Sequence, residues 1–171
     1  MAAVTHANGL RLEQNPAEEP DQYLDFKLDH TQDNYGLMLP TLDLVEVLTL
    51  PYAQITPIPD TPNFVMGVCN WRGEVVWLID LAAKLGFEPL YRQGYGQMSC
   101  PVILLQVDDL VVGLTVKKIG QMIRVAREQI LPTPPTLASS ELSKFLSGYW
   151  LSGAGQTYLV LNGRLLGAAI A

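Results

Sequence analysis

The sequence predicts an all-β protein, a barrel or a sandwich built from about ten short strands. Three observations lead there. Apolar residues fall in short alternating runs, Gly- and Pro-rich segments separate those runs, and continuous helical periodicity is scarce. With 171 residues, 49% of them hydrophobic and 16% charged, the chain suits one globular unit with a true core, or two small units packed closely.

Residues 1–20 mix alanines, Gly9, Pro16, Pro20 and the acidic pair Glu18 and Glu19 without sustained periodicity, so a flexible tail is expected before a domain over 21–168. Tyr23, Asp25 and Lys27 then alternate with Leu24, Phe26 and Leu28, and after a polar break residues 35–39 supply the second strand of a hairpin. Residues 40–47 suit a short helix capped by Thr41, or a further strand. Pro51, Pro57, Pro59 and Pro62 make 51–62 a surface loop.

The run VMGVCNWRGEVVWLIDL, residues 65–81, reads as two strands meeting at Asn70, Trp71, Arg72 and Gly73. Asparagine first and glycine fourth fit a type I turn, which would put Trp71 and Arg72 at its centre. A large aromatic at such a tip calls for a function, because Trp and Arg are the residues most enriched at binding hot spots. The bland reading folds Trp71 back over a barrel end and lets Arg72 cap carbonyls. A helical turn over 81–86 closes on Gly86, and residues 91–98 form an exposed loop. The hairpin 102–107 and 110–116 turns at Asp108 and Asp109; a strand covers 118–125; 131–136 is a Pro-rich connection. Residues 145–151 pair with 157–161, and a short helix ends the chain at 165–170.

Chemistry is sparse. The net charge of −6 argues against a nucleic-acid partner. No apolar stretch approaches the roughly 20 residues of a membrane helix, so a cytoplasmic protein with no membrane insertion is expected. His6 falls in the tail and His30 at a polar turn, leaving Cys69 and Cys100 without a general base and without metal-site spacing. Gly94 and Gly96 lack the rest of a phosphate loop. No catalytic residue, cofactor or metal is expected. Lys117, Lys118, Arg124 and Arg127 concentrate positive charge within eleven residues, either as a solvated strand or as a patch for an acidic partner. Three tryptophans and seven tyrosines leave open a barrel that holds a small ligand.

Several pieces in order resemble the CheW-like coupling domain of bacterial chemosensory systems: QYLDFKLD and YGLMLP, LVEVL at 44–48, ITPIPDTPNFVMGVCNWRGEVVWLIDL at 55–81, VGLTV at 112–116 and FLSGYW at 145–150. The resemblance implies two five-stranded SH3-like barrels around a shared core, a few short helices and no catalysis. It implies a scaffold between a CheA-like histidine kinase, bound through its regulatory domain, and the cytoplasmic tip of a methyl-accepting receptor, recruited to membrane-bound arrays. A free-standing competitor for the kinase would look the same.

By position, Asn70, Trp71, Arg72, Gly73 and the preceding Gly67 match the family's Asn-x-Arg-Gly turn, and Leu44 and Glu46 match a first-barrel segment associated with partner contacts. Trp71 stands where the family has leucine, Trp77 where it has proline, and Lys117 where an acidic residue is common. Those departures resemble the variants of pilus-motility or phototaxis systems.

Overall fold

The structure is a computed structural model that describes residues 19–28, 34–93, 97–137 and 139–170. His6, His30, Gly94, Gly96 and all but the last two residues of the expected tail lie outside the described residues. Ten strands form two five-stranded sheets. One is built from β1 (Asp21–Lys27), β2 (Tyr35–Pro40), β8 (Lys118–Val125), β9 (Leu146–Leu151) and β10 (Thr157–Leu161), in the order β8-β1-β2-β10-β9. The other holds β3 (Leu44–Pro51), β4 (Val65–Trp71), β5 (Glu74–Asp80), β6 (Ser99–Val107) and β7 (Leu110–Thr115), in the order β3-β6-β7-β5-β4. These are the two SH3-like barrels expected.

The two orders are one pattern. Each sheet has a single parallel pairing, β10 with β2 and β5 with β7, and every other pairing is antiparallel. Matching the orders sets β8, β9, β10, β1 and β2 against β3, β4, β5, β6 and β7 in turn. The second barrel is therefore continuous in sequence, whereas the first is split, with its last two strands supplied by the start of the chain. Each barrel is joined by one bridge, Thr56 to Val68 in the second and Leu131 to Tyr149 in the first. The third strand of each barrel in this matched order also leads into a helix: β5 into α1 (Leu81–Lys84), β10 into α3 (Gly163–Ile170).

Alternation along each strand serves two cores, which is why runs such as VILLQV are nearly continuous in apolar character. Leu50, Val76, Leu78, Val102 and Leu104 fill the second barrel; Tyr23, Met38, Val125 and Val160 fill the first. The opposite faces, with Leu24, Phe26, Leu37 and Leu39 on one barrel and Ile79, Ile103, Leu105 and Leu114 on the other, meet in the largest cluster. Each fully buried side chain there contributes roughly 1.5–3 kcal/mol relative to exposure. Lys84 ties the edges of this interface. Its ammonium lies 4.1 Å from the Phe64 ring centroid and 5.8 Å from that of Phe145, and donates to Ala169 O at 3.3 Å. Lys84→Ala is expected to cost about 1 kcal/mol in urea unfolding, and Lys84→Arg less.

Several sequence expectations change. Within 40–47 helix is confined to a single 3-10 turn, Thr41–Asp43, between Pro40 at the end of β2 and strand β3 from Leu44 onward. The β-branched residues Val45 and Val47 favour the pleat once β6 is there to pair with. β3 also belongs to the second sheet, so Leu44 and Glu46 are not on the first barrel. The exposed loop at 91–98 begins inside a short helix, α2 (Leu90–Gln93), anchored by the buried Leu90.

Candidate functional site

The hairpin tip differs from the expected turn by one residue. Trp71 pairs with Glu74 as the last rung of β4–β5, leaving a two-residue loop, Arg72-Gly73, with φ of 52° and 85°. Positive φ at both central positions is the primed turn whose twist suits a hairpin. Gly73 adopts it without strain, and Arg72 is an L-residue held in the left-handed region. Asn70 supports the loop, its Oδ1 accepting the Gly73 N–H at 3.2 Å. Trp71 is thus a strand residue, not the centre of a type I turn.

Its ring packs on the apolar filling of the second barrel, and its indole Nε1–H donates to Glu46 Oε2 at 3.0 Å. The Arg72 guanidinium donates to the same oxygen at 3.2 Å and lies 4.9 Å from the Trp71 ring centroid. One carboxylate on β3 therefore fixes both tip side chains across the barrel end. Arg72 pairs with Glu46, and the functional and bland readings merge: Trp71 covers the barrel end while the Arg72 side chain stays 71% exposed. An exposed pair of this kind adds at most about 1 kcal/mol to stability. Its larger effect is to limit the rotamers Arg72 presents.

Beside the tip, the outer face of β5 carries Val75 and Trp77, exposed by 69% and 43%. Asn70 lies opposite Val75, and Val68 opposite Trp77. Trp77 continues sideways to Val112 on β7, at the edge of the inter-barrel core. Sequence reasoning noted Trp77 only as a departure and missed Val75. The outward alternation in EVVWLID was the available signal, but which face pointed out depended on the register.

The other candidates separate. Gly67 is buried, with φ of 138°, and a Cβ there would lie 2.2 Å from Thr56 O. Its position is dictated by the barrel-closing bridge. Leu44 packs against the inter-barrel core rather than joining the tip. The basic residues do not converge: Lys117 Nζ donates to Gln93 O at 3.4 Å, Lys118 pairs opposite Lys27, and Arg124 pairs opposite Gln22. Arg127 Nε donates to Asp21 Oδ2 at 2.7 Å. Lys118 and Arg124 stand about 20 Å apart along β8 at the usual strand rise.

Both cysteines are buried among apolar neighbours. Burial raises the Cys69 thiol; burial first, then the nearby Asp80 carboxylate and Cys69, push Cys100 up to about 11. Neither is a thiolate nucleophile at neutral pH. Among the described residues, no helix is long and apolar enough to cross a membrane.

Residues 22–169 match the CheW-like domain family. The chemotaxis protein CheW of Klebsiella aerogenes is 32% identical over 142 residues, 82% of this chain and 76% of that protein. Protein FrzA of Myxococcus xanthus is 32% identical over 133 residues, 74% of each chain. The crystal structure of the scaffolding protein TtCheW from Thermoanaerobacter tengcongensis superposes with a TM-score of 0.71 at 24% identity, over 86% of this chain and 92% of that one. A match over nearly the whole described body, with the same paired barrels, leaves one assignment: the chain belongs to the CheW-like domain family.

Proposed function

We propose that the chain is a non-catalytic coupling scaffold of a chemosensory pathway, holding a CheA-like histidine kinase, through its regulatory domain, against the cytoplasmic tip of a methyl-accepting receptor. It would act in the cytoplasm at membrane-bound arrays. Similarity to FrzA as well as to CheW leaves the output open, with pilus motility or phototaxis beside chemotaxis. The observation that carries the reading is the tip, where Glu46 Oε2 holds Trp71 and Arg72 together with the Arg72 side chain largely exposed, while the other face of the same hairpin exposes Val75 and Trp77. A held cation at an exposed hairpin end, with apolar side chains exposed on the other face of that hairpin, suits a protein partner that offers a carboxylate to the tip and an apolar patch to the strand face. Binding two partners on one rigid body converts two modest affinities into one assembly.

Pull-down with the kinase regulatory domain tests this. Arg72→Ala and Trp71→Ala are each expected to weaken binding at least tenfold, about 1.4 kcal/mol, with unfolding midpoints close to wild type for Arg72→Ala. Glu46→Gln keeps an acceptor for the indole but not the charge, and should fall between. Unchanged binding in all three would remove the tip from the mechanism. Co-sedimentation with receptor membranes, with and without kinase, separates a coupler from a competitor: only a coupler forms the ternary complex.

A further inference from the structure

The strand equivalence can be carried down to single residues. Gly67 and Gly148 each adjoin a barrel-closing bridge and pair with Leu78 and Val160. That match sets Asp25 in the place of Leu104, Tyr158 in that of Val76, Trp150 in that of Cys69 and Gly36 in that of Val111. In the second barrel these four positions are apolar and pack in its core. In the first they hold a carboxylate, two large aromatics and a glycine, beside a buried core of Tyr23, Met38, Val125 and Val160.

Asp25 thus stands on the inner face of the first barrel, at the register shift between β1 and β8. Two glycines make room for the cluster. A Cβ on Gly120 would lie 2.4 Å from Asp25 Oδ2, and one on Gly36 would lie 2.5 Å from the Tyr158 ring and 3.5 Å from Asp25 Oδ1. The carboxylate and the ring therefore meet over Gly36, and the Trp150 ring centroid stands 5.4 Å from that of Tyr158 at an interplanar angle of 33°. Asp25, Trp150 and Tyr158 are each half-buried, so the cluster keeps a solvent-facing side. Among the described residues Asp25 has no hydrogen bond or ion pair. Burial raises its pKa, with the charges of Lys27 and Lys118 offsetting part of the rise. A carboxylate drawn partly out of water without a partner costs stability, and the leucine in the matching place shows that the barrel does not require it.

We propose that this part of the first barrel binds an organic ammonium group, with Asp25 as its counter-ion and the rings of Tyr158 and Trp150 as an aromatic wall. Oδ1 is the oxygen beside the Tyr158 ring, while Oδ2 lies against Gly120. One oxygen next to aromatic faces suits a compact ammonium, whereas the planar fork of a guanidinium is matched by two. The rings attract the cation through their negative faces, and more strongly where water is partly excluded. The ammonium is supplied by a lysine side chain of a protein partner or by a free small amine. The proposal is independent of the scaffold reading, because the cluster belongs to the other barrel from the Trp71 and Arg72 tip.

The test follows the amide and indole N–H signals of the isotope-labelled full chain as n-butylammonium chloride is added, against sodium chloride at equal ionic strength. Saturable shifts are expected at Gly36, Gly120, Tyr158 and the Trp150 indole, and none around Arg72. Asp25→Asn should weaken binding by about tenfold or more. Asp25→Leu, which copies Leu104, should abolish binding while raising the urea midpoint, so that loss of the site is separated from loss of the fold. Nα-acetyl-lysine amide titrated in the same way identifies the source: tighter binding than butylammonium supports a partner's lysine, and equal or weaker binding supports a free amine. Equal shifts with sodium chloride, shifts that do not saturate, or undiminished binding by Asp25→Asn would overturn the proposal.

Discussion

Alanine at Gly67 is expected to destabilise the protein by about 3 kcal/mol or more, lowering the urea midpoint sharply without changing the fold of what remains native. Two costs combine. The backbone sits at φ of 138°, where a side chain is strained, and the added Cβ would meet Thr56 O at 2.2 Å. That carbonyl accepts the Val68 N–H at 2.9 Å in the bridge that joins β4 to the chain leaving β3, so it cannot retreat without breaking the closure. Gly148 supplies a control in the other barrel, where a Cβ would lie 2.2 Å from Leu131 O beside the Leu131–Tyr149 bridge. Equal losses at both sites would assign the two glycines to barrel closure. A Gly67→Ala protein as stable as wild type but defective in kinase binding would return Gly67 to the interface.

The second large effect is at Asp80, a fully buried carboxyl. Asp80→Ala removes the acceptor for Ala83 N–H and for Leu90 N–H, freeing both ends of the 81–90 connection, at a cost of roughly 3 kcal/mol. Asp80→Asn keeps the Ala83 cap but turns an N–H toward the Leu90 N–H, so its loss should be smaller. Its pH dependence has a definite sign. Burial raises the Asp80 pKa, and the backbone N–H groups of Ala83 and Leu90 offset part of that rise. The folded value lies above the unfolded one, so the protonated form favours the fold, and that advantage fades as pH climbs from the unfolded value of about 3.8 through the folded value. The stability gap between wild type and Asp80→Asn should therefore narrow with rising pH across this window. A gap that widens would show that the N–H donors outweigh burial.

Strands were legible in the sequence where alternation and turn residues agreed, as in β1–β2, β6–β7 and β9–β10. The stretch 40–47 was not, because Leu42, Val45 and Glu46 satisfy a helical spacing and a strand equally, and pairing with β6 decides between them. The one-residue shift at the tip had a similar origin. Asn70 and Gly73 suit a type I turn, yet the register that buries Cys69 and Val76 pairs Trp71 with Glu74 and moves the loop to Arg72-Gly73. Trp71 and Arg72 stood out by residue type alone. Their shared partner Glu46 was picked out only through family resemblance, since nothing local links positions 25 and 26 residues apart. The internal repeat escaped notice because its two copies run in shifted order, with β1 and β2 displaced to the front of the chain.

That displacement has a consequence on the ribosome. Residues 44–115 contain every strand of one barrel and can close as soon as they emerge, whereas β1 and β2 must wait for β8–β10, some 80 residues later. Until then the apolar faces of Phe26, Leu37 and Leu39 have only the finished neighbour to lean on. Vectorial synthesis thus makes the continuous half the template on which the divided half is completed, and a stall before residue 146 would leave a nascent chain with one whole barrel and an open sheet edge.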